Sequence, residues 1–146
     1  MKKLDDLINH LKTFESRLFE IIEEVIRENE GIIMEMVSED QLYERGIDGD
    51  GVEIASYAPY ASLTVEIKQL KGQPTNRVTL RDTGDFHYSF YIRYTSDGFE
   101  ITAADWKTEG LIKGYGEAIM ELTDDNFKDI ALNYVLPKLN KLAREV

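Results

Sequence analysis

The sequence predicts an α+β fold: a long N-terminal amphipathic helix, a central antiparallel β-hairpin or small sheet, and a C-terminal helix packed on that sheet. Three observations carry this. Leu4, Leu7, Leu11, Phe14, Leu18, Ile21 and Val25 recur at alternating steps of three and four. Residues 86–103 alternate about a turn at Asp97-Gly98. Thr123-Asp124-Asp125-Asn126 sets a hydroxyl and two acids ahead of a second apolar stripe. The chain reads as a single domain over 1–146, with irregular extended segments near 41–60 and 71–79.

The first stripe defines a helix from about Leu4 to Arg27, about seven turns long. Ile8 and Ile22 widen it, and Lys12, Glu15, Arg17, Glu20, Glu23 and Glu24 fill the other faces. The seam is heptad-like over about three heptads, so it suits either the chain's own core or a neighbouring subunit. Asn29 and Gly31 mark its expected end. Ile32 to Val37 is a short apolar run that fits a strand or a second helical piece, and is read here as extended.

Periodicity then disappears. Gly46-Ile47-Asp48-Gly49-Asp50-Gly51 carries two carboxylates, but the oxygen spacing of a calcium loop is incomplete and a tight turn is expected instead. Tyr57, Pro59 and Tyr60 either anchor this loop or form an aromatic contact patch. Residues 61–70 fit a short helix with Leu63, Ile67 and Leu70 on one side, although Val65 also suits a strand. Residues 71–76 form a connection.

In Asp82-Thr83-Gly84-Asp85-Phe86, Asp82 or Thr83 can cap a helical turn starting at Gly84. Phe86, Tyr88, Phe90 and Ile92 are expected on one face of the strand that follows, and Phe99, Ile101 and Ala103 alternate in the next. Gly110, Gly114 and Gly116 limit any helix there, and no Gly-Lys-Ser/Thr follows to make a phosphate loop. In the closing helix Phe127, Ile130, Ala131, Tyr134, Leu139 and Leu142 form the apolar face, and Pro137 should kink it. Lys138, Lys141 and Arg144 sit near its negative end.

Composition narrows the function classes. A formal charge of −11 over 146 residues argues against nucleic-acid binding and against anionic membrane surfaces, which need clustered cations. With no cysteine, disulfides and cysteine-based zinc sites are excluded. No apolar run is long enough to span a bilayer, and no secretory signal is expected. The two histidines are His10, on the polar flank of the first helix, and His87, next to Asp82 and Asp85. His87 as an oriented base, or Asp82 as half of a shared-proton aspartic pair, are the enzymatic alternatives. The residues give no catalytic, cofactor or metal site beyond these, so a non-enzyme is expected.

From residue 78 to 145 the chain resembles the tailed-phage virion morphogenesis, or neck and tail-completion, proteins. The resemblance rests on Leu80, the family-marker turn Asp82, Thr83, Gly84, Asp85 and Phe86, then Ser89, the hairpin to Ala103, Tyr115-Gly116, and Ile119 to Ile130. The first half, with residues 46–51 and 57–60, looks like versions carried by prophages of gut anaerobes. Where such proteins often carry a basic, proline-bearing stretch, this chain has Gly116-Glu117-Ala118-Ile119-Met120. The resemblance implies a structural protein of the head–tail junction or tail terminus, without catalysis or cofactor. It implies homo-oligomers, with protomers that associate into a ring or dock on one, and other phage head–tail or tail proteins as partners. Location would be the virion neck or tail, and the host cytoplasm during assembly. Leu4, Leu11, Leu18, Tyr57 and Tyr60 are the expected interface residues. A soluble adaptor that binds a partner through the first helix is the alternative.

Overall fold

The computed structural model describes residues 1–145. It is α+β, and the chain clusters into two compact units: Met1–Asn29 with Lys128–Val146, and Glu30–Phe127.

The first unit is helical. α1 spans Lys2–Glu28. Its exposure follows a gradient: Leu4, Leu7, Ile8 and Leu11 are exposed, Phe14, Leu18, Ile21 and Ile22 are half-buried, and Val25 and Ile26 are buried. The helix stops at Asn29, two residues before the expected glycine, where the Asn29 amide donates back to the Val25 carbonyl (2.8 Å). The last helix of the chain, α7 (Leu136–Glu145), packs against α1 with Leu142 buried. Lys138 pairs with Glu28 at 3.4 Å. The structure groups this helix with α1. Pro137, in the first turn of α7, has no N–H to donate and crowds the preceding turn. The chain widens into a π-helical segment over Ala131–Val135 just before it.

The second unit holds the sheet and the larger core. α2 (Glu30–Glu35) runs into a π-helical segment, Met36–Arg45. This corrects the extended reading of 32–37: Ile33 and Val37 lie four apart and are both fully buried, as one helical face requires. It also makes 41–45 helical, so the irregular stretch starts at Gly46. After a 3-10 turn at Ile54–Ser56 comes α3, Ser62–Leu70, which settles the 61–70 alternatives as helix. α4 is one turn, Asp85–Tyr88.

The hairpin is β1 (Phe90–Thr95) and β2 (Gly98–Ala103), paired antiparallel with Ile92 opposite Ile101. Thr95 pairs with Gly98, so the two-residue loop is Ser96-Asp97, one position earlier than expected. Strand alternation also starts later than expected. The turn at 85–88 places Phe86 and Phe90, four apart, in the core with their rings edge-to-face at 4.9 Å. Tyr88, expected on that face, is 82% exposed. α5 (Thr108–Tyr115), a 3-10 turn at Glu117–Met120 and α6 (Asp124–Ile130) follow. Thr123 caps α6 as expected, its hydroxyl accepting the Asn126 N–H at 3.2 Å. The core joins Val37, Leu42, Ile54, Val78, Phe86, Phe90, Ile119 and Met120.

Candidate functional site

The turn at 82–86 belongs to the second unit, with a polar cluster on one side and a pocket on the other. Gly84 has φ +93°, which an L side chain adopts only under strain, and the ring of Tyr88 lies where a Cβ would project. Thr83 Oγ1 accepts the Asp85 N–H (3.3 Å) and starts α4. Asp82 does not cap. Its carboxylate takes hydrogen bonds from Lys71 (2.8 Å) and Gln73 (3.1 Å), which hold its carboxyl below the usual range. Phe86 enters the core, and Asp85 opens the helical turn.

Behind the turn, Arg81 is the hub. One guanidinium nitrogen meets Glu39 at 2.5 Å, and the planar group stacks on Tyr43, 3.9 Å from the ring centre. Two guanidinium nitrogens face His87 Nδ1 at 3.0 and 3.3 Å. Nδ1 must therefore accept, and the neutral ring carries its proton on Nε2. His87 is 4% exposed, and Nε2 meets no acceptor in hydrogen-bond geometry, although the Thr79 and Leu80 carbonyls lie near the ring. Burial, followed by the Arg81 charge, lowers the imidazole to about 4. A ring held neutral and shut among Phe86, Phe90 and Arg81 packs as a core histidine. The cations and acids of this cluster come from the π-helical segment and from 81–87, a pairing that no local pattern signals.

On the other side, a pocket of about 180 Å³ is lined by Tyr60 and Lys68 from the α3 region, by Leu80, Arg81, Asp82, Gly84 and Phe86, and by Lys107, Leu111 and Tyr115 around α5. Tyr60, one of the expected interface residues, is half-buried instead. Its hydroxyl accepts the Thr79 N–H at 2.9 Å, so it anchors the chain ahead of the marker turn. Tyr115 is pushed up by burial and by Tyr60 beside it.

The glycine-rich loop is a docking loop. Buried Asp48 accepts the N–H groups of Asp50 (3.0 Å) and Val52 (3.1 Å) through Oδ1, and the Tyr57 hydroxyl (3.1 Å) through Oδ2. Burial and this acceptor raise Tyr57 to about 12. Gly49 N–H donates to the Ala118 carbonyl at 2.7 Å, and an added Cβ would stand 2.7 Å from the Glu121 carbonyl oxygen. Both carboxylate oxygens of Asp48 are thus occupied by protein donors. Among the described residues no group of three or more His, Asp or Glu side chains is placed to hold a metal ion.

Of the remaining expected interface residues, Leu4 and Leu11 are exposed with Leu7 and Ile8 between them, and Leu18 is half-buried. Tyr57 is exposed apart from its Asp48 bond. Sequence reasoning missed Gln41, which is fully buried and joins two distant segments: its Nε2 donates to the Glu121 carbonyl (2.8 Å), and its Oε1 accepts from Thr123 N–H (3.0 Å) and Asn126 Nδ2 (2.9 Å). Also missed was a cleft of about 520 Å³ along β2, lined by Phe99 to Thr102 and by Ile112, Leu122 and Phe127. No helix among the described residues is long and apolar enough to cross a membrane. The chain matches no known family model, no curated protein and no solved structure.

Proposed function

We propose that this protein is a structural component of a tailed phage, at the head–tail junction or tail terminus, and acts by assembly with copies of itself and with other head–tail or tail proteins. The reading joins the ordered resemblance over 78–145 to one observation: the N-terminal half of α1 leaves Leu4, Leu7, Ile8 and Leu11 exposed in a heptad-spaced stripe. A contiguous apolar stripe in water favours association, and at this spacing a second helix covers it. In this reading the protein is no enzyme, needs no cofactor, and resides in the virion neck or tail after assembly in the host cytoplasm. Its charge of −11 suits a conduit through which DNA slides without sticking.

A soluble adaptor that uses the same stripe for an unrelated partner helix is the second reading. Negative-stain microscopy separates the two. Closed rings of the purified protein, alone or with neck and tail proteins, support the structural role. A particle that stays monomeric at high concentration with those proteins added overturns it.

A further inference from the structure

The pocket beside the 82–86 turn contains a buried ammonium that no carboxylate touches. Lys68 is 8% exposed, yet its ammonium meets only neutral groups: the Arg81 carbonyl at 2.9 Å, the Gln73 side-chain oxygen at 3.3 Å, and the face of Tyr60, 4.9 Å from the ring centre. Among the described residues no carboxylate lies within ion-pair distance of it. Buried ammonium groups are ordinarily paired, because taking the charge out of water is costly. Asp82, which also lines the pocket and feels the Lys68 charge at longer range, is held directly by Lys71 and Gln73. Arg81 is matched by Glu39 and Lys107 by Asp105 at 3.9 Å, which leaves Lys68 as the lining cation with no carboxylate in contact.

The rest of the lining is apolar or aromatic: Leu80, Phe86, Leu111, Tyr60 and Tyr115. Leu80 has φ +55°, the only non-glycine residue described with a positive φ. A left-handed leucine is strained, and such strain concentrates where a binding site needs a particular backbone course. Here it lies between the residue that Tyr60 anchors and the residue whose carbonyl meets Lys68.

We propose that this pocket is a binding site for a monocarboxylate carried on a compact apolar body, with Lys68 as its counter-ion. The charge selects a single negative charge, since a dianion would leave excess negative charge next to Asp82. The room selects the size: a cavity of about 150 Å³ holds one benzene ring, and this one measures about 180 Å³. The carboxylate comes from a free small acid or from the apolar last residue of another chain. The site goes beyond the assembly role and does not depend on it.

The test is isothermal titration of the full chain with benzoate, benzamide, inorganic phosphate, and N-acetyl-glycyl-leucine as the acid and as the amide. Benzoate binds, while benzamide and phosphate do not. Lys68→Met removes the charge at similar length and weakens benzoate roughly tenfold or more. Leu111→Trp fills the pocket, keeps Lys68 and also abolishes binding, so the test stands if either variant misfolds. Binding of the peptide acid but not its amide identifies a chain end as the source; benzoate alone identifies a free acid. No benzoate binding, equal binding of benzamide, preference for phosphate, or full binding by both variants overturns the proposal.

Discussion

The N-terminal half of α1 and the loops around Asp48 and Arg81 are opposites. In the helix, a clean apolar repeat forms regular structure and then leaves Leu4, Leu7, Ile8 and Leu11 in water. In the loops and the π-helical segment before them, where no repeat exists, polar groups are buried and almost fully satisfied: Asp48 by two N–H groups and a phenol, Gln41 by three partners, Arg81 by Glu39, Tyr43 and His87. Stability therefore concentrates where the sequence is irregular, and the regular helix keeps apolar surface to spare. Substitutions should cost much in the loops and little on the helix.

The steepest loss is expected at Gly49. Its Cβ position lies 2.6–2.9 Å from the Glu121 side chain and the carbonyls of 118 and 121, so Gly49→Ala must push the loop off that turn. Chemical denaturation should show a loss of about 3 kcal/mol, the upper part of the usual range for overpacking. A loss under about 0.5 kcal/mol would mean that the loop docks loosely.

Acid should act next, through His87. Unfolded, the imidazole takes its proton near 6.5; folded, burial and Arg81 hold that step down to about 4. The unfolded chain binds the proton first as the pH drops. The His87 contribution is therefore complete above pH 6.5 and is lost as the pH falls toward 4, by about 3 kcal/mol in all. In His87→Gln, the part of the pH dependence of the unfolding free energy between those values that is due to this ring should vanish. An unchanged slope would show that other groups carry it.

Gln41→Leu should cost about 2 kcal/mol, because it leaves the Thr123 N–H and the Glu121 carbonyl without their partner while retaining bulk. Thr123→Ala, which removes only the α6 cap, should cost about 1 kcal/mol. Differential scanning calorimetry on both variants checks the order, and a larger loss for the cap would reverse it.

What could be read in advance divides along the same line. The α1 repeat, the hairpin and the Thr123 cap were legible because each is set within a few residues. Gln41, Glu39 and Lys68 were not, since their partners lie 80, 42 and 13 positions away. Residues 32–37 misled because β-branched runs also form helices when a spacing of four, as in Ile33 and Val37, finds a core. Tyr88 misled because Thr83 and Gly84 start a helical turn that delays the strand.

The central claim is that the apolar surplus on α1 serves association, and sedimentation velocity over a range of concentrations tests it on wild type and Leu7→Glu/Leu11→Glu. Both positions are exposed, at 55% and 59%, so the double variant should unfold within about 0.5 kcal/mol of wild type. The account predicts that wild type sediments as an oligomer and the variant as a monomer with an unchanged melting temperature. A wild type that stays monomeric even with neck and tail proteins added, or a variant that keeps the oligomer, would contradict it.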